Sequence, residues 1–318
     1  MFRHLVVCLL LIAGVAAQSD APAYRLTASF PAIIGGKPIV SFEFDAKTRR
    51  LYGGADTGLF WLNVDEPRPA WNGPLVKGER AGGLEFAPDL RRLFFTSLDD
   101  VRYVDVEAPA ASHVVTPVRN AMLVYEPQQH ELYVAGRDAK VLVFDAKSGA
   151  SHGSIETPGG RPMLLDAIPG RVFMSVSTKN GLYVINAASH KIGAWPVEGK
   201  VDWPAPIEVD PSGRYIFAAT YQGIAVIDPA TAKVIGRIDG QAAPSIAFDA
   251  EAQLLIATWP NDPPPIRVRA YRVGATGLTL VSEMENPDRG QLGVKHTGRG
   301  FIQNGGTVWL LWSAVPRR

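Results

Sequence analysis

Residues 206–238 read PIEVDPSGRYIFAATYQGIAVIDPATAKVIGRI. Apolar and polar residues alternate over Ile207–Val209, which predicts a first strand. A turn over residues 210–213 follows, and residues 215–219 predict a second, antiparallel strand. A third strand over residues 224–227 and a fourth over residues 233–238 follow turns that contain Gly or Asp-Pro. Four short antiparallel strands in about forty residues predict one blade of a β-propeller.

The same unit recurs seven times along the chain. Its anchor is the last residue of the first strand, and a residue of the second strand follows seven positions later. The anchors are Phe44, Phe86, Tyr125, Asp166, Val209, Phe248 and Val294, and the residues seven positions on are Leu51, Leu93, Leu132, Phe173, Ile216, Leu255 and Phe301. The anchors are 39 to 46 residues apart, which is the period of four-stranded blades. The sequence therefore predicts an all-β, seven-bladed propeller of four-stranded antiparallel blades, in one domain over residues 18–318.

The seventh repeat has no outer strand of its own after its third strand at residues 308–312. Residues 24–30 read YRLTASF and precede the first repeat as residues 233–238 precede the sixth. We expect this N-terminal strand to complete the last blade and close the ring.

Residues 1–17 have the pattern of a secretory signal peptide. Arg3 and His4 precede an apolar run, and small residues follow it up to Ala17, where we expect cleavage. The run is too short to span a bilayer, so we expect a periplasmic or secreted protein with no membrane span. Cys8 is the only cysteine and leaves with the signal peptide, which excludes disulfides in the mature chain.

Charge is balanced in the mature chain. Without residues 1–17, 31 Lys and Arg residues face 31 Asp and Glu residues. The overall field therefore does not draw the protein onto nucleic acid, and such binding would need a local patch.

The crossings from each outer strand to the next inner strand gather at the mouth of a propeller channel, where ligands commonly bind. Five to seven positions before the anchors lie Lys37, Arg80, Arg119, Arg161, Trp203, Ala242 and Arg289. Five of these seven are basic, which predicts an anion-binding mouth, with Trp203 available to stack on a ligand. The alternative is ordinary exposed crossings whose charges are neutralised by neighbours, with Trp203 as packing.

Other side chains give no defensible catalytic or metal site. The histidines fall on different blades and at different heights, so we interpret them as surface residues and expect no metal and no cofactor. Glu43, Glu85 and Glu208 alternate along inner strands, where they would bind a cation, act as a base or simply line a wet channel. The G-x-S-x-G elbow of serine hydrolases is absent.

The repeats resemble the YVTN β-propeller family, and in particular its exported, YncE-like members. The matching segments are residues 209–220 (VDPSGRYIFAAT), 132–135 (LYVA), 141–149 (VLVFDAKSG) and 225–236 (AVIDPATAKVIG). The first and last blades depart from the pattern, with GGAD at residues 53–56 and QNGG at residues 303–306. The resemblance implies a rigid seven-bladed disc that binds other molecules. Some members of the family bind single-stranded DNA and distant relatives hydrolyse lactones, so the resemblance suggests these two activities as alternatives.

The function we predict is therefore a monomeric, non-catalytic binding or scaffold propeller. Its partner would be an anionic small molecule, a glycan, a peptide or a protein, held at the channel mouth. A lactonase-type hydrolase is the first alternative, and it would need a general base beside oxyanion donors at that mouth. Single-stranded nucleic-acid binding is the second, and it would need aromatic side chains interleaved with the basic ones.

Overall fold

The computed structural model describes residues 24–31, 33–34, 37–66, 68–109, 111–177, 179–198, 207–240, 245–249, 253–258, 267–274, 277–285, 293–295, 301–304 and 307–313. The proposed signal peptide, residues 1–17, lies outside them. All regular structure in these ranges is β-strand. They contain no helix long and apolar enough to cross a membrane.

Seven antiparallel sheets are formed by the described strands. The chain begins with β1 (Tyr24–Pro31), which belongs to the last sheet. The first sheet holds β2 (Ile33–Ile34), β3 (Lys37–Asp45), β4 (Arg50–Ala55), β5 (Gly58–Asn63) and β6 (Asn72–Lys77). The second holds β7 (Leu84–Ala87), β8 (Arg92–Thr96), β9 (Val101–Asp105) and β10 (His113–Thr116). The third holds β11 (Met122–Glu126), β12 (Glu131–Ala135), β13 (Lys140–Asp145) and β14 (Ser151–Glu156).

The first sheet has five strands rather than the predicted four, because the two-residue β2 pairs with β3, and each of the other sheets has four. The fourth holds β15 (Pro162–Ile168), β16 (Arg171–Val176), β17 (Lys179–Asn186) and β18 (Ile192–Trp195). The fifth holds β19 (Ile207–Val209), β20 (Ile216–Thr220), β21 (Gly223–Asp228) and β22 (Lys233–Asp239). The sixth holds β23 (Ser245–Asp249), β24 (Leu254–Thr258), β25 (Arg267–Gly274) and β26 (Gly277–Glu285). The seventh holds β27 (Gly293–Lys295), β28 (Phe301–Asn304) and β29 (Thr307–Ser313).

The N-terminal strand closes the ring, as the sequence predicts. β1 pairs antiparallel with β29, so the last sheet has the order β1-β29-β28-β27. Its outer strand therefore comes from the opposite end of the chain, and the first and last sheets are joined covalently. This arrangement removes the open edge that a ring of sheets would otherwise leave.

The seven-residue spacing corresponds to the same strand register in six of the seven sheets. Each of the first six anchors pairs directly with the residue seven positions later, for example Phe44 with Leu51 and Val209 with Ile216. The seventh differs, because Phe301 pairs with Lys295 rather than with the anchor Val294. One more residue separates the paired strands there than in the first sheet, so the register moves by one position.

Apolar side chains fill the spaces between neighbouring sheets. Alternate residues of each strand point to opposite faces, so one face of a sheet packs on the sheet before it and the other on the sheet after it. Val124 and Tyr133 of the third sheet share a cluster with Val172 and Met174 of the fourth. The core is therefore a series of layers between blades.

Candidate functional site

Backbone hydrogen bonds define two faces of the disc. The crossing face holds the crossings and the turns between second and third strands, joined by bonds such as Ala81 N to Ala55 O (2.9 Å). The turn face holds the other two sets of turns, joined by bonds such as Val64 N to Arg49 O (3.0 Å). The two faces lie at opposite ends of the strands.

The structure describes four of the six residues predicted to form the channel-mouth site. Lys37, Arg80, Arg119 and Arg161 lie on the crossing face, at the start of β3 or in the segments before β7, β11 and β15. Trp203 and Arg289 lie outside the described residues. The sequence therefore placed these four basic residues on one face.

Two of the four basic side chains are neutralised by partners that the sequence analysis missed. Arg80 lies 3.3 Å from Asp56, and Arg119 lies 2.5 Å from Asp99. Each acid belongs to the second-to-third turn of the preceding sheet. A carboxylate in the second-to-third turn is the sequence feature that could have identified both partners. Glu79 is adjacent to Arg80 in sequence, but it accepts hydrogen bonds from Arg102 and Ser112 instead. The crossing face of the first three blades therefore carries both signs of charge.

Exposed apolar side chains are concentrated on the crossing face. Six large apolar side chains among the described residues are exposed, and four of them lie at this face: Ile33, Val40, Leu98 and Tyr221. Leu98 and Tyr221 are 62% and 74% exposed and occupy second-to-third turns, where no strand packing requires them. Val114 and Leu280 lie on outer strands. The crossing face therefore carries four of these six side chains, on the first, second and fifth blades.

The carboxylates considered as channel residues join neighbouring inner strands. Glu85 accepts the backbone N–H of Tyr125 at 3.0 Å, and Glu208 accepts that of Phe248 at 3.1 Å. Each acid lies one residue before its anchor and bonds the anchor of the next sheet. Such bonds satisfy N–H groups at the inner edge of a blade. The sequence analysis considered a reactive carboxylate or a simple channel lining for these residues. It did not predict that they bond the backbone of the next blade.

Two of the histidines, which the sequence analysis placed at different heights, lie at the same end of neighbouring blades and share one partner. His152 Nδ1 lies 2.7 Å from Glu131 Oε1, and His190 Nε2 lies 2.9 Å from Glu131 Oε2, although they belong to different blades. Tyr133 donates a third bond to Glu131, at 2.8 Å. Burial and this bond raise the pKa of Tyr133 well above its usual value. We call these four residues the Glu131 cluster; it joins the third blade to the fourth on the turn face.

A related arrangement joins the second blade to the third. The hydroxyl of Tyr125 donates to Asp89 at 2.8 Å, and His130 Nδ1 lies 2.7 Å from the same carboxylate. Among the residues that the structure describes, no group of three or more His, Cys, Asp or Glu side chains is arranged to hold a metal ion. The imidazoles are instead hydrogen-bonded directly to carboxylates, which can only accept.

Asp100 is a crossing-face carboxylate with a changed pKa. Burial raises the pKa of this group, but hydrogen bonds from Arg102 and Ser97 outweigh burial and lower it below its usual value. A general acid or base that works near neutral pH needs a shift in the opposite direction. Asp100 therefore has the properties of a structural ion pair.

Solved structures with the same architecture match almost the whole chain. A chain in the crystal structure of the mitotic checkpoint complex matches 98% of this chain and 99% of its own length at 11% identity, with a TM-score of 0.71. The WD40 repeats of RRP9 match 91% of this chain over their full length at 11% identity (TM-score 0.67), and the structure of U3-55K matches 89% over 98% of its length at 10% identity (TM-score 0.67). No protein-family model and no curated protein matches the chain. At this identity the likeness establishes the β-propeller fold alone.

Proposed function

We propose that this chain is an exported, monomeric, non-catalytic binding propeller of the YVTN type, and that its crossing face recognises a polypeptide partner. Export rests on the signal-peptide pattern of residues 1–17, and the YVTN assignment rests on the repeat segments quoted above. A rigid disc with variable turns suits recognition by a preformed surface.

The observation that carries this proposal is the concentration of exposed apolar side chains on one face. Leu98 and Tyr221 project from turns on that face, where they are available as anchors for a partner. Protein interfaces combine such anchors with a polar rim, and aromatic residues are enriched at their centres. The two solvent-exposed pairs Arg80–Asp56 and Arg119–Asp99 supply a rim of both charges. A polypeptide, which also carries both charges, fits this surface better than a small anion does.

An anionic ligand, either a metabolite or an acidic glycan, is the second candidate. Lys37 and Arg161 are exposed on the crossing face, and the described residues give neither of them a carboxylate within ion-pair distance. Guanidinium and ammonium groups without such partners attract carboxylates and phosphates. The lactonase alternative has less support, because the lowered pKa of Asp100 does not suit a general base. Nucleic acid also has less support, because Arg80 and Arg119 are already neutralised.

A thermal-shift panel separates the two candidates. We expect phosphate, citrate, acidic oligosaccharides and short oligonucleotides to leave the melting temperature of the mature chain unchanged, since a ligand raises it only by binding the folded state.

The intact mass of the exported protein tests the proposed signal peptide. We expect a mass that corresponds to a chain without residues 1–17.

Variants identify the site if a shift occurs. A saturable rise with one anion that disappears in Lys37→Glu/Arg161→Glu, but persists in the turn-face control Lys47→Glu/Lys147→Glu, would transfer the assignment to the anionic ligand. A rise that persists in both double variants would place the ligand elsewhere and count against both candidates.

A further inference from the structure

A network of hydrogen bonds holds the turn that carries Leu98 on the crossing face. Four residues, 97–100, separate β8 from β9. The Ser97 N–H donates to the Asp100 carbonyl at 2.8 Å, and the Ser97 hydroxyl donates to the Asp100 carboxylate. The same hydroxyl oxygen accepts the N–H groups of Asp99 and Asp100, each at 3.2 Å. The turn is therefore closed at its base, while Leu98 projects into solvent.

Arg102 connects this turn to two other segments of the chain. Its Nε and Nη2 donate to the two carboxylate oxygens of Asp100, at 2.8 and 3.1 Å. Its Nη1 donates to Glu79, in the crossing before β7, at 3.1 Å and to Ser112, directly before β10, at 3.0 Å. Ser112 in turn donates to Glu79 at 2.8 Å. One guanidinium group therefore fixes the turn against the crossing that enters the second blade and against the start of its outer strand.

The other blades show that the propeller fold does not need an arginine at this position. Arg102 pairs with Phe95, which lies nine positions after the anchor of its blade. The equivalent third-strand residues of the first six sheets are Phe60, Arg102, Leu142, Leu182, Ala225 and Arg269. Four of these six are apolar and cannot form such a network. Arg269 bonds Glu283, its neighbour on the outer strand of the sixth blade, at 2.8 Å.

The turns that carry Leu98 and Tyr221 differ in length. Both residues lie twelve positions after the anchors of their blades, so they occupy equivalent positions in the repeat. In the fifth blade only two residues separate the paired residues Thr220 and Gly223. A two-residue hairpin turn has few backbone conformations, and the conformational freedom of a loop grows with its length. The longer turn therefore needs additional hydrogen bonds to present Leu98 as rigidly as the shorter turn presents Tyr221.

We propose that Arg102 is a positioning residue of the crossing face, which holds Leu98 in one exposed orientation so that it enters an apolar pocket of the polypeptide partner. This inference rests on the function proposed above. An anchor that is already held in place does not have to be ordered when the partner binds, and such ordering reduces affinity. Arg102 acts through the turn, because its side chain is 25% exposed and its hydrogen bonds go to Asp100, Glu79 and Ser112.

Amide hydrogen exchange of the mature protein tests the positioning without a partner. Arg102→Met keeps an apolar stem and removes all the donors of the guanidinium group. We expect the Ser97 N–H, which is bonded inside the turn, to exchange about tenfold faster in this variant, because the turn opens more often. Arg269→Met is the matched control from the equivalent position of the sixth blade, and it should leave the exchange of Ser97 unchanged. Equal exchange of Ser97 in Arg102→Met and the wild type would overturn the proposal.

A double-mutant cycle tests whether Arg102 affects binding through Leu98. A photoreactive phenylalanine derivative replaces Tyr221, and the mature protein is irradiated in a dilution series of an extract of the cells that produce it. The extract concentration at half-maximal crosslinking should rise about three- to tenfold in Leu98→Ala and in Arg102→Met. Arg102→Met should add no further rise when Leu98 is already alanine. Arg269→Met should crosslink like the wild type.

Three results of this cycle would overturn the inference. An effect of Arg102→Met that is equal with and without Leu98→Ala would show that Arg102 acts independently of Leu98, and the proposed function would stand. An unchanged half-maximal concentration in Leu98→Ala would remove Leu98 as an anchor. The absence of any crosslinked species from position 221 in the otherwise wild-type protein would overturn the proposed function as well.

Discussion

Asp45→Ala should be among the most destabilising single substitutions in this protein, with an expected cost of about 3–5 kcal/mol in the free energy of unfolding. The Asp45 carboxylate is 1% exposed and lies 2.5 Å from Arg91 Nη2 of the next blade. Its removal leaves the largely buried Arg91 without this partner and also removes the turn bond to Lys47 N. Urea unfolding at pH 7 measures the loss.

Asp65→Ala is the matched control. Asp65 lies 3.0 Å from Arg49, which occupies in the first blade the turn position that Arg91 occupies in the second, but the Asp65 side chain is 43% exposed. Exposed pairs contribute up to about 1 kcal/mol. Equal losses in Asp45→Ala and Asp65→Ala would contradict the role given to the Asp45–Arg91 pair.

The contribution of Asp45 should also depend on pH. Burial raises the pKa of Asp45, but hydrogen bonds from Arg91 and Thr48 and the charge of Arg91 outweigh burial, so the pKa is lower than usual. A lowered folded-state pKa gives stability that is complete above the unfolded-state pKa of about 3.9 and is lost as the pH falls through the folded-state value. The difference between wild type and Asp45→Ala should therefore shrink only in acid.

Glu131→Ala should produce a loss of about 3 kcal/mol. The substitution removes the acceptor shared by Tyr133, His152 and His190. The two imidazoles are partly exposed and can bond to water, but the buried Tyr133 hydroxyl loses the acceptor that Glu131 provides. Most of the loss should come from that hydroxyl, and chemical unfolding measures it.

A double-mutant cycle isolates this contribution. Tyr133→Phe added to Glu131→Ala removes the orphaned hydroxyl, so the double variant should be more stable than the sum of the two single losses by about 1–2 kcal/mol. Glu156→Ala, an exposed residue of β14, should change stability by no more than about 0.5 kcal/mol. Additive losses for Glu131 and Tyr133 would mean that the Glu131 cluster does not act as a unit.

The architecture could be predicted from the sequence because it depends on a pattern repeated in every blade. An apolar residue seven positions after each anchor marks the second strand of every blade, and in six sheets that residue pairs directly with its anchor. In the seventh sheet Phe301 lies in the second strand, as predicted, but pairs with Lys295 after a longer turn. Register depends on turn length, which the period alone does not determine.

The side-chain partners were less predictable, because they join residues from different repeats. Arg80 bonds Asp56 rather than its neighbour Glu79, and that choice depends on how the turn projects each carboxylate. The second strand begins with an arginine in the second and fourth blades, but with Glu131 in the third. At the start of the second strand, Arg92 and Arg171 bond backbone carbonyl groups of the next blade, whereas the third blade has an acid that bonds a histidine of the next one. Six positions after the seven anchors lie Arg50, Arg92, Glu131, Val172, Tyr215, Leu254 and Gly300, and Glu131 is the one acid among them.

Site-specific photo-crosslinking tests most directly whether the crossing face is the binding face. A photoreactive phenylalanine derivative replaces Leu98 or Tyr221 on that face, and Val114 or Leu280 on the outer strands, in cells that produce the protein. All four positions are exposed and apolar, so the probe itself is matched. We expect the same discrete crosslinked species from positions 98 and 221 and none from positions 114 and 280. Crosslinks that form equally from the outer strands, or only there, would contradict binding through the crossing face.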